Sequence, residues 1–240
     1  MKVFVLAGGL GTRLRELAGD RPKPMIPIRG KPFLTYVIVQ LREQGYDDLI
    51  LCVGHKSDQI QDYFGDGSTC GVHIDYAVES APLGTGGAIH NARRFIDGSF
   101  LVLNGDTFLR TDLNALVEHH ARSPRSRPIG TIAIQAAQHT EGRGIITLDA
   151  RRDIRSFQEK VAVGMGWVNA GAYVLEPAIL EFVPDAGPVS LEREVFPAVL
   201  SEGRRLQGFE VTGRFIDIGT PEGYHQFCQY IEETSDDHSK

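Results

Sequence analysis

A glycine-rich segment near the start of the chain has the composition of a phosphate-binding loop. The sequence LAGGLGTRL, at positions 6–14, follows a short apolar run at positions 3–6. Glycines let backbone amides turn toward a phosphate without a Cβ in the way, and the segment holds three of them: Gly8, Gly9 and Gly11. Arg13 adds a planar guanidinium that matches phosphate oxygens, and Lys23, in the sequence PKP, adds a compact positive charge. We expect this segment to bind a phosphorylated substrate, with Arg13 and Lys23 as the catalytic cations.

Two common phosphate-binding patterns fit this segment poorly. The dinucleotide fingerprint G-x-G-x-x-G would place its last glycine at position 14, which is Leu14. A P-loop requires Ser or Thr after Gly-Lys, but Gly30-Lys31 is followed by Pro32. The sequence therefore disfavours a nicotinamide-dependent oxidoreductase and a P-loop kinase. A binding assay with a nicotinamide cofactor would test the oxidoreductase alternative.

Two aspartates end apolar, strand-like runs and are candidates for binding a metal. Asp106 follows Gly105 in LVLNGDTF, and Asp217 lies in RFIDIGTPEGY, 111 residues later. A single aspartate after a strand is more often a turn former. Two carboxylates on separate strands, however, are what Mg²⁺ bound to triphosphate oxygens requires. We therefore expect Asp106 and Asp217 to hold Mg²⁺.

The elements that must position these residues alternate along the first part of the chain. Short apolar runs such as VFVLA, LILCVG and FLVLNGD are separated by helical patterns, one of which ends at Gly45. This alternation predicts an α/β fold with a Rossmann-like, mostly parallel mixed sheet flanked by helices. After about residue 138 the pattern becomes more antiparallel. We predict one domain over residues 1–232, with a nucleotide-binding lobe (1–138), a smaller sugar-phosphate-binding lobe (139–232) and a disordered tail (233–240).

The composition narrows the class of protein. The chain has 240 residues with a formal net charge of −6, which argues against nucleic acid or an anionic membrane as partners. Its three cysteines have no metal-type spacing, as expected of a reduced, cytoplasmic compartment. The apolar stretch at the N-terminus is too short for a signal peptide or a membrane span.

Together, LAGGLGTRL and RPKPMIPI resemble the signature of the sugar-1-phosphate nucleotidyltransferases, and further motifs follow in the family's order from Val3 to about Tyr224. The resemblance implies a GT-A-like nucleotide-diphospho-sugar transferase fold. It also implies a reaction in which a nucleoside triphosphate and a sugar 1-phosphate give a nucleotide sugar and pyrophosphate, with Mg²⁺ as cofactor. The implied nucleotide-binding residues are Leu6, Ala7, Gly8, Gly9, Gly11, Thr12, Arg13, Glu79, Pro82, Leu83, Gly84, Thr85 and Gly105.

The sequence ESAPLGTGGAI indicates which base the nucleotide carries. In the family, the corresponding segment recognises the base. The carboxylate of Glu79 can accept two parallel hydrogen bonds, matching the N1–H and amino group of guanine. Uracil and thymine offer one such donor beside an acceptor, which suits an amide better. PLGTGGAI also resembles the guanylyl-transferring members of the family, so we expect GTP as the nucleotide.

The sugar phosphate is assigned from the resemblance alone. In SFQEK, Glu159 and Lys160 match the family's Glu-Lys pair, but Val161 stands where the family often has proline. In VNAGAYVL, Asn169 and Gly171 match positions that line the sugar pocket. Gly142, in EGRGIITL, is a weaker candidate because the aromatic residue of the family's turn is missing.

Within the family, the motifs most resemble the D-glycero-D-manno-heptose 1-phosphate guanylyltransferases, which supply GDP-heptose for bacterial capsule, lipopolysaccharide or S-layer glycans. Mannose-1-phosphate guanylyltransferases share most of them, and uridylyl or thymidylyl transfer to another hexose 1-phosphate stays an alternative. An inactive nucleotide-sugar sensor is a further alternative, disfavoured because the charged residues are present. The sequence leaves the assembly open, a homodimer included.

Overall fold

The computed structural model describes residues 1–9, 19–122, 127–137, 144–158, 165–185 and 187–236. Strands and helices alternate through the first half, apart from two short strand pairs. The elements are β1 (Val3–Leu6), β2 (Pro27–Ile28), β3 (Lys31–Pro32), α1 (Phe33–Glu43), β4 (Asp48–Val53), α2 (Ser57–Phe64), β5 (His73–Val78), α3 (Gly84–Asn91), β6 (Phe100–Asn104), β7 (Thr107–Leu109) and α4 (Leu113–Ala121). Lys23–Met25 forms a short 3₁₀ turn before β2.

The second half contributes more strands than helices. Its elements are β8 (Gly130–Ala137), β9 (Ile145–Leu148), β10 (Ile154–Gln158), β11 (Gly166–Leu175), α5 (Phe196–Ser201), β12 (Leu206–Glu210), β13 (Phe215–Asp217) and α6 (Pro221–Asp236). A single π-helical turn, Leu191–Val195, leads into α5.

One sheet organises the molecule, with strand order β10-β9-β11-β6-β1-β4-β5, and with β8 paired to both β11 and β12. β1 runs parallel to β4 and β6, and β4 runs parallel to β5. β11 runs antiparallel to β6, β8 and β9. The predicted mixed α/β sheet is thus confirmed, with its antiparallel part in the second half. Because β11 pairs with β6, the two predicted lobes share a single sheet.

The central strands are apolar throughout because the sheet is covered on both faces. Val3, Phe4 and Val5 of β1 have no exposed surface. One face packs against α1 and α6, where the ring of Phe33 lies 4.9 Å from that of Phe227. The other face packs against α3 and α5. This two-sided burial fixes β1 in the middle of the sheet, so Ala7, Gly8 and Gly9, which follow it, lie at the sheet's carboxyl edge.

The ends of two helices test the sequence-based boundaries. α1 ends where Gly45 was expected to stop it, and Gly45 has a φ of 85°, a conformation that favours glycine. The last helix continues further than predicted. α6 runs through Asp236, so residues 233–236 are helical rather than part of a tail that begins at 233. The Thr234 hydroxyl donates to the Tyr230 carbonyl at 3.0 Å, within the turn that extends the helix.

In the part of the chain that the structure describes, no helix combines the length and the apolar composition needed to cross a membrane.

Candidate active site

A cavity of about 360 Å³ opens at the carboxyl ends of the central strands. Ligand sites of open α/β sheets are found at this edge. Ten residues predicted from the sequence to bind nucleotide, metal or phosphate lie on its wall: Leu6, Ala7, Gly8, Gly9, Lys23, Glu79, Pro82, Gly84, Thr85 and Asp106. Pro24, Ala88 and Asn104 complete the lining. The structure therefore brings the loop after β1, the segment before α3 and the end of β6 to one site.

Lys23 lies between the two aspartates predicted to hold the metal. Its Nζ is 2.6 Å from Oδ2 of Asp106 and 4.0 Å from Oδ1 of Asp217. The lysine side chain is 12% exposed, whereas those of Asp106 and Asp217 are 39% and 42% exposed. The Lys23 ammonium is thus largely shielded from solvent by the protein, whereas the carboxylates of Asp106 and Asp217 are more exposed.

A pair of short strands brings the two aspartates together. β13 pairs antiparallel with β7, and Asp217 lies opposite Thr107. The Ile218 N–H donates to the carbonyl oxygen of Asp106 at 3.0 Å, which closes the ladder beside both carboxylates. This pairing brings two residues that are 111 positions apart in sequence to the same lysine, with Asp106 on the cavity wall and Asp217 next to it.

The donor set around Lys23 fits a magnesium ion held partly by substrate. Oδ1 of Asp217 accepts from the Gly219 N–H at 2.7 Å, and Oδ1 of Asp106 accepts from the Thr107 hydroxyl at 3.2 Å. Each carboxylate therefore keeps acceptor capacity toward the open side. Among the described residues no cluster of three or more potential metal-ligating side chains occurs. Two carboxylates suit Mg²⁺, which commonly takes its remaining ligands from water and phosphate oxygens.

Gly105 fixes the distance between β6 and the loop after β1. Its N–H donates to the Leu6 carbonyl oxygen at 2.9 Å, and a Cβ at this position would lie 2.8 Å from the same oxygen. Only glycine permits this close backbone approach. The approach sets Asp106 directly beside Ala7 and Gly8. Gly105 thus has a structural reason to be glycine, independent of any contact with a nucleotide.

Glu79 is half-buried beside the glycine loop. Its Oε2 accepts from the Leu83 N–H at 3.1 Å, and a Cβ on Gly8 would lie 3.1 Å from its Oε1. Burial raises the pKa of this carboxyl, and the hydrogen bond from Leu83 opposes that rise. Part of the acceptor capacity assigned to guanine is therefore used by the protein's own backbone, which occupies Oε2.

Asn169 and Gly171, predicted to line the sugar pocket, lie on β11 next to the end of β6. Asn169 Oδ1 accepts from the Gly171 N–H at 2.9 Å, and its Nδ2 donates to the Tyr173 hydroxyl at 2.6 Å. Gly171 has a φ of 74°, and a Cβ there would lie 2.9 Å from Nδ2 of Asn104. The predicted sugar side thus lies against Asn104, which precedes the aspartate predicted to bind the metal.

Six predicted site residues lie outside the described residues: Gly11, Thr12, Arg13, Gly142, Glu159 and Lys160. Their assignments stay predictions from the sequence. The two cations expected to meet the triphosphate and the sugar phosphate, Arg13 and Lys160, are among them.

Besides Pro24 and Ala88, sequence reasoning missed two polar residues, one on the cavity wall and one behind it. Asn104 lines the cavity, and its position directly before Gly105 and Asp106 is a signal that could have found it. Glu192 accepts from the Thr85 hydroxyl at 3.0 Å and from the Tyr173 hydroxyl at 2.8 Å. It lies in SLEREVF, where alternating charges are typical of a solvated helix surface, and no motif marks it.

Comparison with known proteins is consistent with this geometry. A model of the nucleotidyl transferase family matches residues 2–234. The D-glycero-alpha-D-manno-heptose 1-phosphate guanylyltransferase of Aneurinibacillus thermoaerophilus is 36% identical over 228 residues, covering 94% of this chain and 96% of that protein. The mannose-1-phosphate guanylyltransferase of Mycobacterium tuberculosis is 37% identical over 225 residues, covering 92% of this chain but 61% of that protein. Among solved structures, HddC from Yersinia pseudotuberculosis complexed with GMP-PN superposes with a TM-score of 0.83 at 35% identity, covering 96% of this chain and 99% of that one.

Proposed function

The chain belongs to the nucleotidyl transferase family, and we propose that it transfers the GMP unit of GTP to a sugar 1-phosphate, giving a GDP-sugar and pyrophosphate. The observation that carries this proposal is the position of Lys23, 2.6 Å from Asp106 at the wall of a cavity that also contains Gly8 and Gly9. A cation, two carboxylates and a glycine-lined loop are the groups needed to align a triphosphate for displacement at phosphorus.

The sugar we propose is D-glycero-alpha-D-manno-heptose 1-phosphate. Two proteins with that activity, from Aneurinibacillus thermoaerophilus and Campylobacter jejuni, are each 36% identical to this chain, and the matches cover 96% and 98% of their lengths. The second candidate is mannose 1-phosphate, favoured by the 37% identity to the mycobacterial enzyme, of which 61% is matched. The near-complete match to the heptose enzymes supports the first.

The reaction is an in-line displacement. A phosphate oxygen of the sugar 1-phosphate forms a bond to the α-phosphorus of GTP. The bond between that phosphorus and the oxygen bridging to the β-phosphate breaks, and pyrophosphate leaves with the electron pair. Because the nucleophile is already anionic, no general base has to remove a proton from it. The obstacle is the repulsion between two anionic substrates, so catalysis rests on positioning and charge neutralisation.

We assign these tasks to particular residues. The backbone amides of Gly8 and Gly9, with Arg13, hold the β- and γ-phosphates. Lys23 neutralises charge that develops around the α-phosphate, where its limited exposure to water strengthens the interaction. Lys160 receives the sugar phosphate.

Asp106 and Asp217 would hold Mg²⁺ at the edge of the cavity. When bound, the ion neutralises phosphate oxygens and orients them. The carboxylates serve a second purpose in the protein itself, because their contacts with the Lys23 ammonium, at 2.6 and 4.0 Å, direct it at the same point.

Guanine is proposed to meet the segment from Glu79 to Thr85. Oε1 of Glu79 is available to accept from the base, while Oε2 is already held by the Leu83 N–H. The bond to Leu83 orients the carboxylate toward the cavity without removing all of its acceptor capacity.

The proposal is tested by a pyrophosphate-release screen that crosses GTP, ATP, UTP and dTTP with heptose, mannose and glucose 1-phosphates. We expect the highest kcat/KM for GTP with D-glycero-alpha-D-manno-heptose 1-phosphate. Equal turnover with UTP would overturn guanylyl transfer, and a preference for mannose 1-phosphate would replace the sugar assignment while leaving the reaction class intact.

A further inference from the structure

One buried hydroxyl behind the cavity links the predicted sugar side to Glu192 and, through Glu192, to the predicted nucleotide segment. Tyr173, on β11, has no exposed surface. Its Oη donates to Oε1 of Glu192 at 2.8 Å and accepts from Nδ2 of Asn169 at 2.6 Å. The phenol therefore contacts the sugar-side asparagine and Glu192.

Glu192 extends this network to the nucleotide segment. Its Oε2 accepts from the Thr85 hydroxyl at 3.0 Å and from the Ser190 hydroxyl at 2.9 Å. Thr85 Oγ1 in turn accepts from the Leu191 N–H at 2.8 Å. One carboxylate thus fastens the start of α3 to the turn that carries Glu192.

Backbone contacts reinforce the same junction. The Gly86 N–H donates to the Val189 carbonyl oxygen at 2.8 Å, and the Val189 N–H donates to the Leu83 carbonyl oxygen at 2.7 Å. A Cβ on Gly84, whose φ is 72°, would lie 2.5 Å from the Val189 oxygen. The segment assigned to the base cannot shift without moving Val189, which lies just before the turn Leu191–Val195 that carries Glu192.

The Tyr173 hydroxyl stays protonated near neutral pH and can therefore donate a hydrogen bond. Burial, and then the nearby charge of Glu192, raise the pKa of Tyr173 well above its usual value. The ring packs 5.5 Å from that of Phe196, so the side chain is held by the core as well as by its hydroxyl. Removing the hydroxyl would leave polar atoms of two part-buried partners, Asn169 and Glu192, unpaired, which costs more than the bond itself contributes.

We propose that Tyr173 and Glu192 are positioning residues for the two substrates. Tyr173 acts on the sugar 1-phosphate by fixing the rotamer of Asn169, and Glu192 acts on the nucleotide by holding Thr85 at the start of α3. The inference rests on the proposed guanylyl transfer, and it assigns roles to two side chains that were not predicted from the sequence.

The test compares Tyr173→Phe with Tyr46→Phe. Tyr46 is also buried, and its hydroxyl donates one bond to Asn114 Oδ1 at 3.0 Å, outside the cavity. Initial rates with GTP and heptose 1-phosphate give KM values that do not depend on the fraction of enzyme folded. We expect Tyr173→Phe to raise KM for the sugar phosphate about tenfold and to change KM for GTP less than about twofold. Tyr46→Phe should change neither.

Glu192 is tested separately with Glu192→Ala and Glu192→Gln. Alanine should raise KM for both substrates at least about fivefold, since both arms of the network are released. Glutamine should restore both values to within about threefold of wild type, because its amide can still accept from Tyr173 and donate to Thr85. Equal losses in the two variants would overturn the role of Glu192.

The outcomes separate this inference from the function on which it rests. If the wild-type protein releases no pyrophosphate with any sugar 1-phosphate, the proposed function fails and the inference fails with it. If the wild type is active, and Tyr173→Phe either leaves both KM values unchanged or raises them equally, the inference alone is overturned and Tyr173 is purely structural.

Discussion

The Lys23 ammonium lies 2.6 Å from Oδ2 of Asp106, although the two residues are separated by 83 positions in the sequence. Lys23 lies between Pro22 and Pro24 at the start of a short 3₁₀ turn. Asp106 is fixed by the close approach of Gly105 to β1. Two independent backbone constraints therefore produce one charged contact. An ion pair of this kind at a cavity wall contributes little to folding by itself, so its placement is best explained by the substrate it faces.

The first prediction concerns Lys23. Lys23→Ala should lower kcat/KM by about two to four orders of magnitude, because a preorganised cation aimed at the reacting phosphate is lost. Thermal unfolding should show a folded protein. Lys31→Ala, which removes an exposed lysine of β3, is the matched control and should keep wild-type rates. If Lys23→Ala retains more than a tenth of wild-type activity, the role assigned to Lys23 is wrong.

The second prediction concerns the metal. Asp106→Asn and Asp217→Asn should each raise the MgCl₂ concentration needed for half-maximal rate by about tenfold or more, since an amide oxygen is a weaker ligand for Mg²⁺ than a carboxylate. Rates are measured across a magnesium titration at fixed GTP. Asp47→Asn, at an exposed position before β4, should follow the wild-type curve. Unchanged magnesium dependence in both site variants would contradict the assignment.

The third prediction uses two glycines that share a backbone conformation with positive φ, which favours glycine. Gly171 has a φ of 74° and its Cβ would meet Asn104, whereas Gly187 has a φ of 90° and its Cβ would meet nothing within 4 Å. Gly187→Ala should cost about 1–2 kcal/mol of unfolding free energy from backbone strain alone. Gly171→Ala should cost more and should also raise KM for the sugar phosphate, since Asn104 is displaced.

Urea unfolding and initial rates measure the two effects of these glycine substitutions separately. Gly187→Ala should leave both KM values at wild type. Equal destabilisation in the two variants, with no change in KM for Gly171→Ala, would show that the contact with Asn104 has no part in substrate binding.

The fourth prediction concerns pH and stability. His120 is buried between Thr131 and Glu176, and burial lowers its pKa despite the opposing carboxylate. The unfolded chain then binds more protons than the folded one as the pH falls below the ordinary histidine pKa of about 6.5. The free energy of unfolding should therefore decrease from pH 7 toward pH 5.

His120→Asn should be less stable than wild type at pH 7 and should show a shallower decrease on acidification. Part of the slope should remain, because burial also lowers the pKa of His119. A His120→Asn slope as steep as the wild-type one would refute the assignment to His120.

Local patterns predicted much of the fold and most of the cavity wall. The strand–helix alternation identified the sheet, and the glycine loop, the PKP sequence and the two strand-end aspartates identified one edge of it. These signals work because each depends on backbone geometry near the residue itself. The shared sheet of the two predicted lobes was not visible, since the pairing of β11 with β6 depends on contacts between residues about 70 positions apart.

Long-range polar contacts were also invisible in the sequence. Glu192 sits in a charged turn that resembles a solvent-facing helix, and only the fold brings it to Tyr173 and Thr85. The extent of α6 was underestimated because residues 233–236 lack apolar periodicity, while their backbone continues the helix.

The central claim is tested most directly by following the phosphorus atoms of GTP. The protein is incubated with heptose 1-phosphate, Mg²⁺ and GTP labelled with ³²P at the α- or the γ-position, and the products are separated by thin-layer chromatography. The account predicts that the α-label appears in GDP-heptose and the γ-label in pyrophosphate, and that Lys23→Ala nearly abolishes both. Transfer of the γ-label to the sugar, or release of α-label only as GMP, would contradict it.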